Sequence, residues 1–176
     1  IGDIIYFAAA DCTGHGVPGA FMSLVGANGL NSAVSEHKLT DPGLILDDLN
    51  NYANLALNKH TDENAVRDGM DITLCSLNKK TMKLKFAGAY NPVYLVRDGE
   101  LDIVKTDKIA IGSFTAGENH YNTQELDVKK GDKIKFFEKE EFTTTLPAQL
   151  ILKYDLKVIN IFIERNKSVS YTHLTL

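Results

Sequence analysis

The chain has 176 residues, 44% of them hydrophobic and 24% charged, an ordinary balance for a globular domain with a core of its own. Its formal net charge of −4 and the lack of any basic run argue against nucleic acid as a partner. No apolar stretch reaches the ~18 residues that a membrane span needs, so no membrane contact is expected of this segment.

Residue 1 is isoleucine and an apolar run is under way by Ile4, without the basic-then-apolar layout of a signal peptide. The chain therefore reads as a fragment that begins inside a domain. Cys12 and Cys75 are the only cysteines. Neither stands in a CxxC or beside histidine, which argues against zinc and fits reduced thiols in a cytoplasmic protein. Cys75 reads as a small core residue on a strand.

Ile4 to Ala10 is continuously apolar, as in a strand covered on both faces. It runs into Asp11-Cys12-Thr13-Gly14-His15-Gly16-Val17-Pro18, an acid, a glycine turn and a proline suited to a first helical turn. The helix is predicted from Pro18 to about His37, with Phe21, Leu24, Val25, Leu30, Ala33 and Val34 at three- and four-residue steps. Gly26 and Gly29 within it imply close packing against a neighbour. Asp41-Pro42 caps a second helix ending near His60, with Ile45, Leu49, Tyr52 and Ala56 as its buried stripe. Asp47, Asp48, Asn50 and Asn51 should face water, and Thr61 to Arg67 is a loop.

Strands follow at Asp71 to Leu77, Lys83 to Gly88, Val93 to Val96, Leu101 to Val104, Tyr121 to Val128 and Lys133 to Phe137. Turn residues such as Asn78-Lys79-Lys80, Asp98-Gly99 and Lys130-Gly131-Asp132 separate them. Tyr6, Phe7, Phe86 and Phe137 read as core. Beyond Phe137 a charge cluster opens a segment with no clear period.

Asp11 alone reads as a turn acid or as a metal ligand. Its place at the end of a buried strand, where an unpaired carboxylate is costly, favours a divalent cation. Mg²⁺ or Mn²⁺ would take its oxygens and could add the backbone carbonyl of Cys12. The helix beyond Pro18 offers N–H groups and a positive dipole end to a phosphate. His15 either fixes the turn or donates a proton to a leaving group. Asp68-Gly69-Met70-Asp71 is a second acidic turn: Asp68 and Asp71 are surface acids, or they join the same metals. Gly88-Ala89-Tyr90-Asn91-Pro92 is a turn that could line a cleft.

Asp11 to Ser23 resembles the signature of the SpoIIE-like branch of the PPM-type, metal-dependent serine/threonine protein phosphatases. Three later stretches, Asp68 to Ile72, Phe86 to Gly99 and Lys130 to Ile134, are similar to that branch in the same order. The resemblance covers about residues 1 to 137. It implies an α+β fold: a layered β-sandwich of antiparallel sheets flanked by helices, incomplete here at both ends. It implies a site at one end of the sandwich with two Mn²⁺ or Mg²⁺ ions, whose bridging water attacks phosphoserine or phosphothreonine. Asp11 would be the bridging carboxylate, with the Cys12 carbonyl completing a metal shell. The implied partners are a phosphorylated regulatory protein as substrate and an N-terminal sensor region in the full-length parent.

The chain departs from the pattern in three places. Gly2-Asp3 is too near Asp11 to be the earlier Gly-Asp motif of the family. The Ser-Asp-Gly segment is replaced by Phe137-Glu138-Lys139, and the last metal aspartate has no match. Residues 138–176 thus read as an atypical, non-native or frame-shifted segment, and the chain as given is expected to be weakly active or inactive. The alternative is a degenerate phosphatase fold serving as a non-catalytic protein-binding module. A nucleotide-binding glycine loop at Gly14-His15-Gly16 lacks the Lys-Ser/Thr pair and the GxGxxG spacing.

Overall fold

The computed structural model describes residues 3–13, 17–57, 69–113, 120–129, 131–136 and 161–163. Strand β1 (Ile4–Cys12) leads into helix α1 (Val17–Asn31), which continues as a π-helical turn (Ser32–Glu36) and is followed by α2 (Pro42–Ala56). Then come β2 (Met70–Asn78), β3 (Lys83–Ala89), β4 (Val93–Arg97), β5 (Glu100–Val104), β6 (Gln124–Asp127), β7 (Lys133–Lys135) and β8 (Ile161–Ile163). One sheet has the order β6-β3-β2-β1-β8 and the other β5-β4-β7. All pairings are antiparallel except β1 with β8, which join in parallel at Ala8–Ala10.

The apolar run at the start is explained by burial on both faces. Tyr6, Ala8, Ala10 and Cys12 of β1 pack with Met22, Val25 and Leu30 of α1 and Ile45, Leu46, Leu49 and Ala53 of α2. Phe7 and Ala9 point the other way, into a second core with Phe86, Val93, Leu95, Ile134 and Phe136. The Phe7 and Phe136 rings meet edge to face, centroids 5.9 Å apart. The layers are therefore helices, five-stranded sheet and three-stranded sheet, the α+β sandwich expected from the sequence.

Asp41 caps α2 as its residue type requires, accepting from the N–H of Gly43 at 3.1 Å and of Leu44. Gly26 and Gly29 do serve close approach. A Cβ at Gly26 would lie 2.4 Å from Met70 Cε, and one at Gly29 2.6 Å from Leu49 Cδ1. The helical faces differ from the sequence reading. Val25, Leu30, Ala33 and Val34 are buried as expected, but Phe21 and Leu24 are 48% and 59% exposed, and Met22, Gly26 and Gly29 turn inward in their place. On α2, Tyr52 and Ala56 lie outward while Leu46 and Ala53 are buried. Asn50, expected in water, is buried because its Oδ1 accepts the Gly112 N–H at 2.8 Å. The strand expected from Tyr121 starts only at Gln124, because the N–H groups of Tyr121 and Asn122 go to the side chains of Asp47 and Asp107. The second helix ends at Ala56, short of His60, with Leu57 as its C-cap, its N–H turned back to the Ala53 carbonyl; the Thr61–Arg67 loop and Phe137 lie outside the described residues.

Candidate functional site

The register of β1 on β2 sets Asp11 directly opposite Asp71, one rung from the Cys12–Met70 pair that ends the ladder. Both acids continue the rows that face the second sheet: Phe7, Ala9, Asp11 on β1 and Leu77, Cys75, Thr73, Asp71 on β2. Each is half-buried. Directly opposed residues hold their Cβ atoms about 4.5–5.5 Å apart, and like charges so placed repel. Burial pushes the Asp71 carboxyl above its ordinary value. Two carboxylates facing each other at a half-dry rim form a place where a cation would lower the energy.

Cys12 contributes differently from its thiol. Burial is the main reason that the thiol is pushed up to about 11, and the Ser23 hydroxyl lies 3.8 Å from Sγ as a donor. At neutral pH it stays a protonated, packed side chain. Its partner Met70 directs its own N–H and C=O away from β1, to Ile111, at 3.0 and 2.9 Å. Cys12 and Met70 are thus a non-hydrogen-bonded pair, and the Cys12 carbonyl is directed off the opposite edge of β1. Two carboxylates and a carbonyl are hard oxygen donors and suit Mg²⁺ or Mn²⁺ rather than a soft metal. Among the described residues, no three His, Cys, Asp or Glu side chains converge as a metal cluster.

His15 and Asp68 lie outside the described residues, but the residues that carry them are tied together. The Thr13 N–H donates to the Gly69 carbonyl at 2.9 Å, and the Gly69 N–H donates to Thr13 Oγ1 at 2.7 Å. The end of β1 after Asp11 and the start of β2 before Asp71 are therefore clamped together at Thr13 and Gly69. Sequence reading passed over Thr13. Its signal was a hydroxyl residue directly after a strand, where side-chain-to-backbone bonding is favoured.

The β3–β4 loop stands at the same sheet end. Its backbone is fixed from both sides: the Asn91 carbonyl accepts from the hydroxyls of Thr73 at 2.6 Å and Thr106 at 2.8 Å. A Cβ at Gly88 would lie 2.7 Å from Thr106 Cγ2 and 2.8 Å from the Asn91 carbonyl, so glycine is what lets this loop close over the sheet. The Asn91 carboxamide nitrogen is buried with no hydrogen-bond acceptor among the described residues.

Residues 2–137 match the family model described as Stage II sporulation protein E. The chain belongs to the SpoIIE family. Solved structures agree in fold. The SiaA-PP2C domain of Pseudomonas aeruginosa is 25% identical with a TM-score of 0.61, over 76% of this chain and 54% of that one. A Stage II sporulation E family protein of Thermanaerovibrio acidaminovorans is 13% identical, with a TM-score of 0.57 over 76% and 74% of the two chains. The PP2C phosphatase domain of SpoIIE from Bacillus subtilis is 15% identical, with a TM-score of 0.53 over 74% and 43%. The present chain thus spans about half the length of the Pseudomonas domain. Compared with curated protein sequences, it finds no match. The SpoIIE assignment makes this a PP2C-type, or PPM-type, phosphatase domain of a metal-dependent family. No helix among the described residues is long and apolar enough to cross a membrane.

Proposed function

We propose that this SpoIIE domain belongs to a phosphatase that removes phosphate from phosphoserine or phosphothreonine on a regulatory protein in bacterial signalling. The observation that carries the reading is the Asp11–Asp71 pair, opposed at the rim of the sandwich on a chain whose residues 2–137 match the family. Asp11, Asp71 and the Cys12 carbonyl would hold Mn²⁺ or Mg²⁺, with Asp68 as a further ligand. Such an ion, when bound, lowers the pKa of a coordinated water and neutralises charge on the phosphoryl group. The chain's own part is to fix the two carboxylates on neighbouring strands, so that little reorganisation is needed when the ion arrives. His15, two residues beyond Thr13 in the sequence, would donate a proton to the departing serine or threonine oxygen.

The catalytic reading is confined to residues 1–137, with an N-terminal sensor region in the parent and a cytoplasmic location. Two ions need more carboxylates than this chain supplies, since the family's earlier Gly-Asp and later Ser-Asp-Gly have no counterpart, so turnover should be weak. The test is Mn²⁺-dependent hydrolysis of p-nitrophenyl phosphate by the purified chain. Slow hydrolysis abolished by Asp11→Ala supports the reading. Hydrolysis indifferent to Asp11→Ala, or no hydrolysis together with no Mn²⁺-induced rise in melting temperature, overturns it in favour of a non-catalytic binding module.

A further inference from the structure

Tyr90 is the residue that follows the last paired position of β3, and Asp71 is the residue that precedes the matching position of β2, since Ala89 pairs with Ile72. The two stand at the same end of one sheet. Tyr90 has φ 64°, a left-handed conformation that a bulky side chain adopts only when its surroundings impose it. They do so here. The Tyr90 N–H donates to the Asp107 carbonyl at 2.7 Å and the Asn91 N–H to the Ala89 carbonyl at 2.8 Å. The next carbonyl is held by Thr73 and Thr106. Yet the ring so held is not core: Tyr90 is 52% exposed. A strained backbone, braced by four hydrogen bonds, thus presents an aromatic side chain to solvent next to the carboxylate rim. Packing accounts for only part of it, because about half of the residue's surface stays in solvent while glycine would hold the same backbone without strain.

We propose that Tyr90 is a specificity-determining contact for the polypeptide flanking the phosphorylated residue of the substrate. This rests on the phosphatase reading above and adds to it the part of the substrate that is read. A rigid, half-exposed tyrosine gives a large contact surface at small entropic cost. A substrate that is only a phosphate ester has no flank to meet it.

The chain has no tryptophan, so Tyr90→Trp places a single indole at the loop. The full chain with Mn²⁺ is titrated with a six-residue phosphothreonine peptide, its unphosphorylated form and inorganic phosphate. The expected result is a saturable emission change with the phosphopeptide and none with phosphate alone. Tyr90→Gly should leave the fold intact, since relief of the left-handed backbone offsets the loss of the half of the side chain that is buried. It should lower kcat/KM for the phosphopeptide about tenfold relative to that for p-nitrophenyl phosphate. Hydrolysis of both substrates in an unchanged ratio, with a silent indole, overturns this inference alone. An emission change caused equally by both peptides and untouched by Asp11→Ala overturns the phosphatase reading and with it the substrate named here.

Discussion

At the scale of single residues, the opposed acids set two forces against each other. Asp71 gains core-side packing along its strand but loses hydration, and burial raises its carboxyl above the ordinary 3.8. A raised acid binds its proton more tightly in the folded state, so folding is favoured at low pH. That contribution is lost as pH rises from 3.8 through the folded value. Asp71→Asn should therefore raise the melting temperature of the metal-free protein at pH 7, and the gain should vanish below pH 3.8. Mn²⁺ should stabilise the wild type and not this variant, because the proposed site needs both carboxylates in the folded state to hold the ion. Thermal melts at two pH values, with and without Mn²⁺, check both statements. Asp132 has the opposite sign. The hydrogen bond from Arg97, at 2.6 Å, lowers its carboxyl, so its contribution is present above 3.8 and is lost as pH falls through the folded value.

At the scale of elements, α2 is placed by its first turn. Asp41 caps the helix, and its carboxylate also accepts from the Thr123 hydroxyl, tying the helix start to the segment before β6. Asp41→Ala should cost about 1–2 kcal/mol in chemical denaturation. The glycines of the helices divide by what they touch. A Cβ at Gly43 would meet the Tyr121 carbonyl at 2.2 Å and Thr123 Oγ1 at 2.8 Å, and backbone cannot step aside. Gly43→Ala should destabilise by about 1–3 kcal/mol through overpacking. Gly26 faces only the flexible tip of Met70. Gly26→Ala should be nearly neutral, because a small shift of the methionine is offset by about 1 kcal/mol of better helix propensity. The two alanine variants, measured side by side, separate backbone contact from side-chain contact as the reason for a helical glycine.

At the scale of the whole molecule, β1, β2 and β3 serve both cores at once and carry the candidate site at their ends. Phe86 is fully buried in the second core. Phe86→Ala should cost about 3–5 kcal/mol and should weaken Mn²⁺ binding only in step with unfolding, as calorimetry and near-ultraviolet circular dichroism would show together. The sequence by itself determined the alternation of elements, the capped start of α2, the close-packed glycines and the place of Asp11 at the end of a buried strand, because propensity, capping and motif act within a few residues. It placed Val25, Leu30, Ile45 and Leu49 in the core but misjudged Phe21, Leu24, Tyr52 and Ala56, since both helices are apolar over more than one face and only the sheet beneath them selects the arc. It could not place Asp71 against Asp11, 60 positions away, or clamp Thr13 to Gly69 and Thr73 to Asn91. Those pairings come from strand register, a long-range choice made by burying Phe7, Cys75 and Phe86 on one face of the sheet.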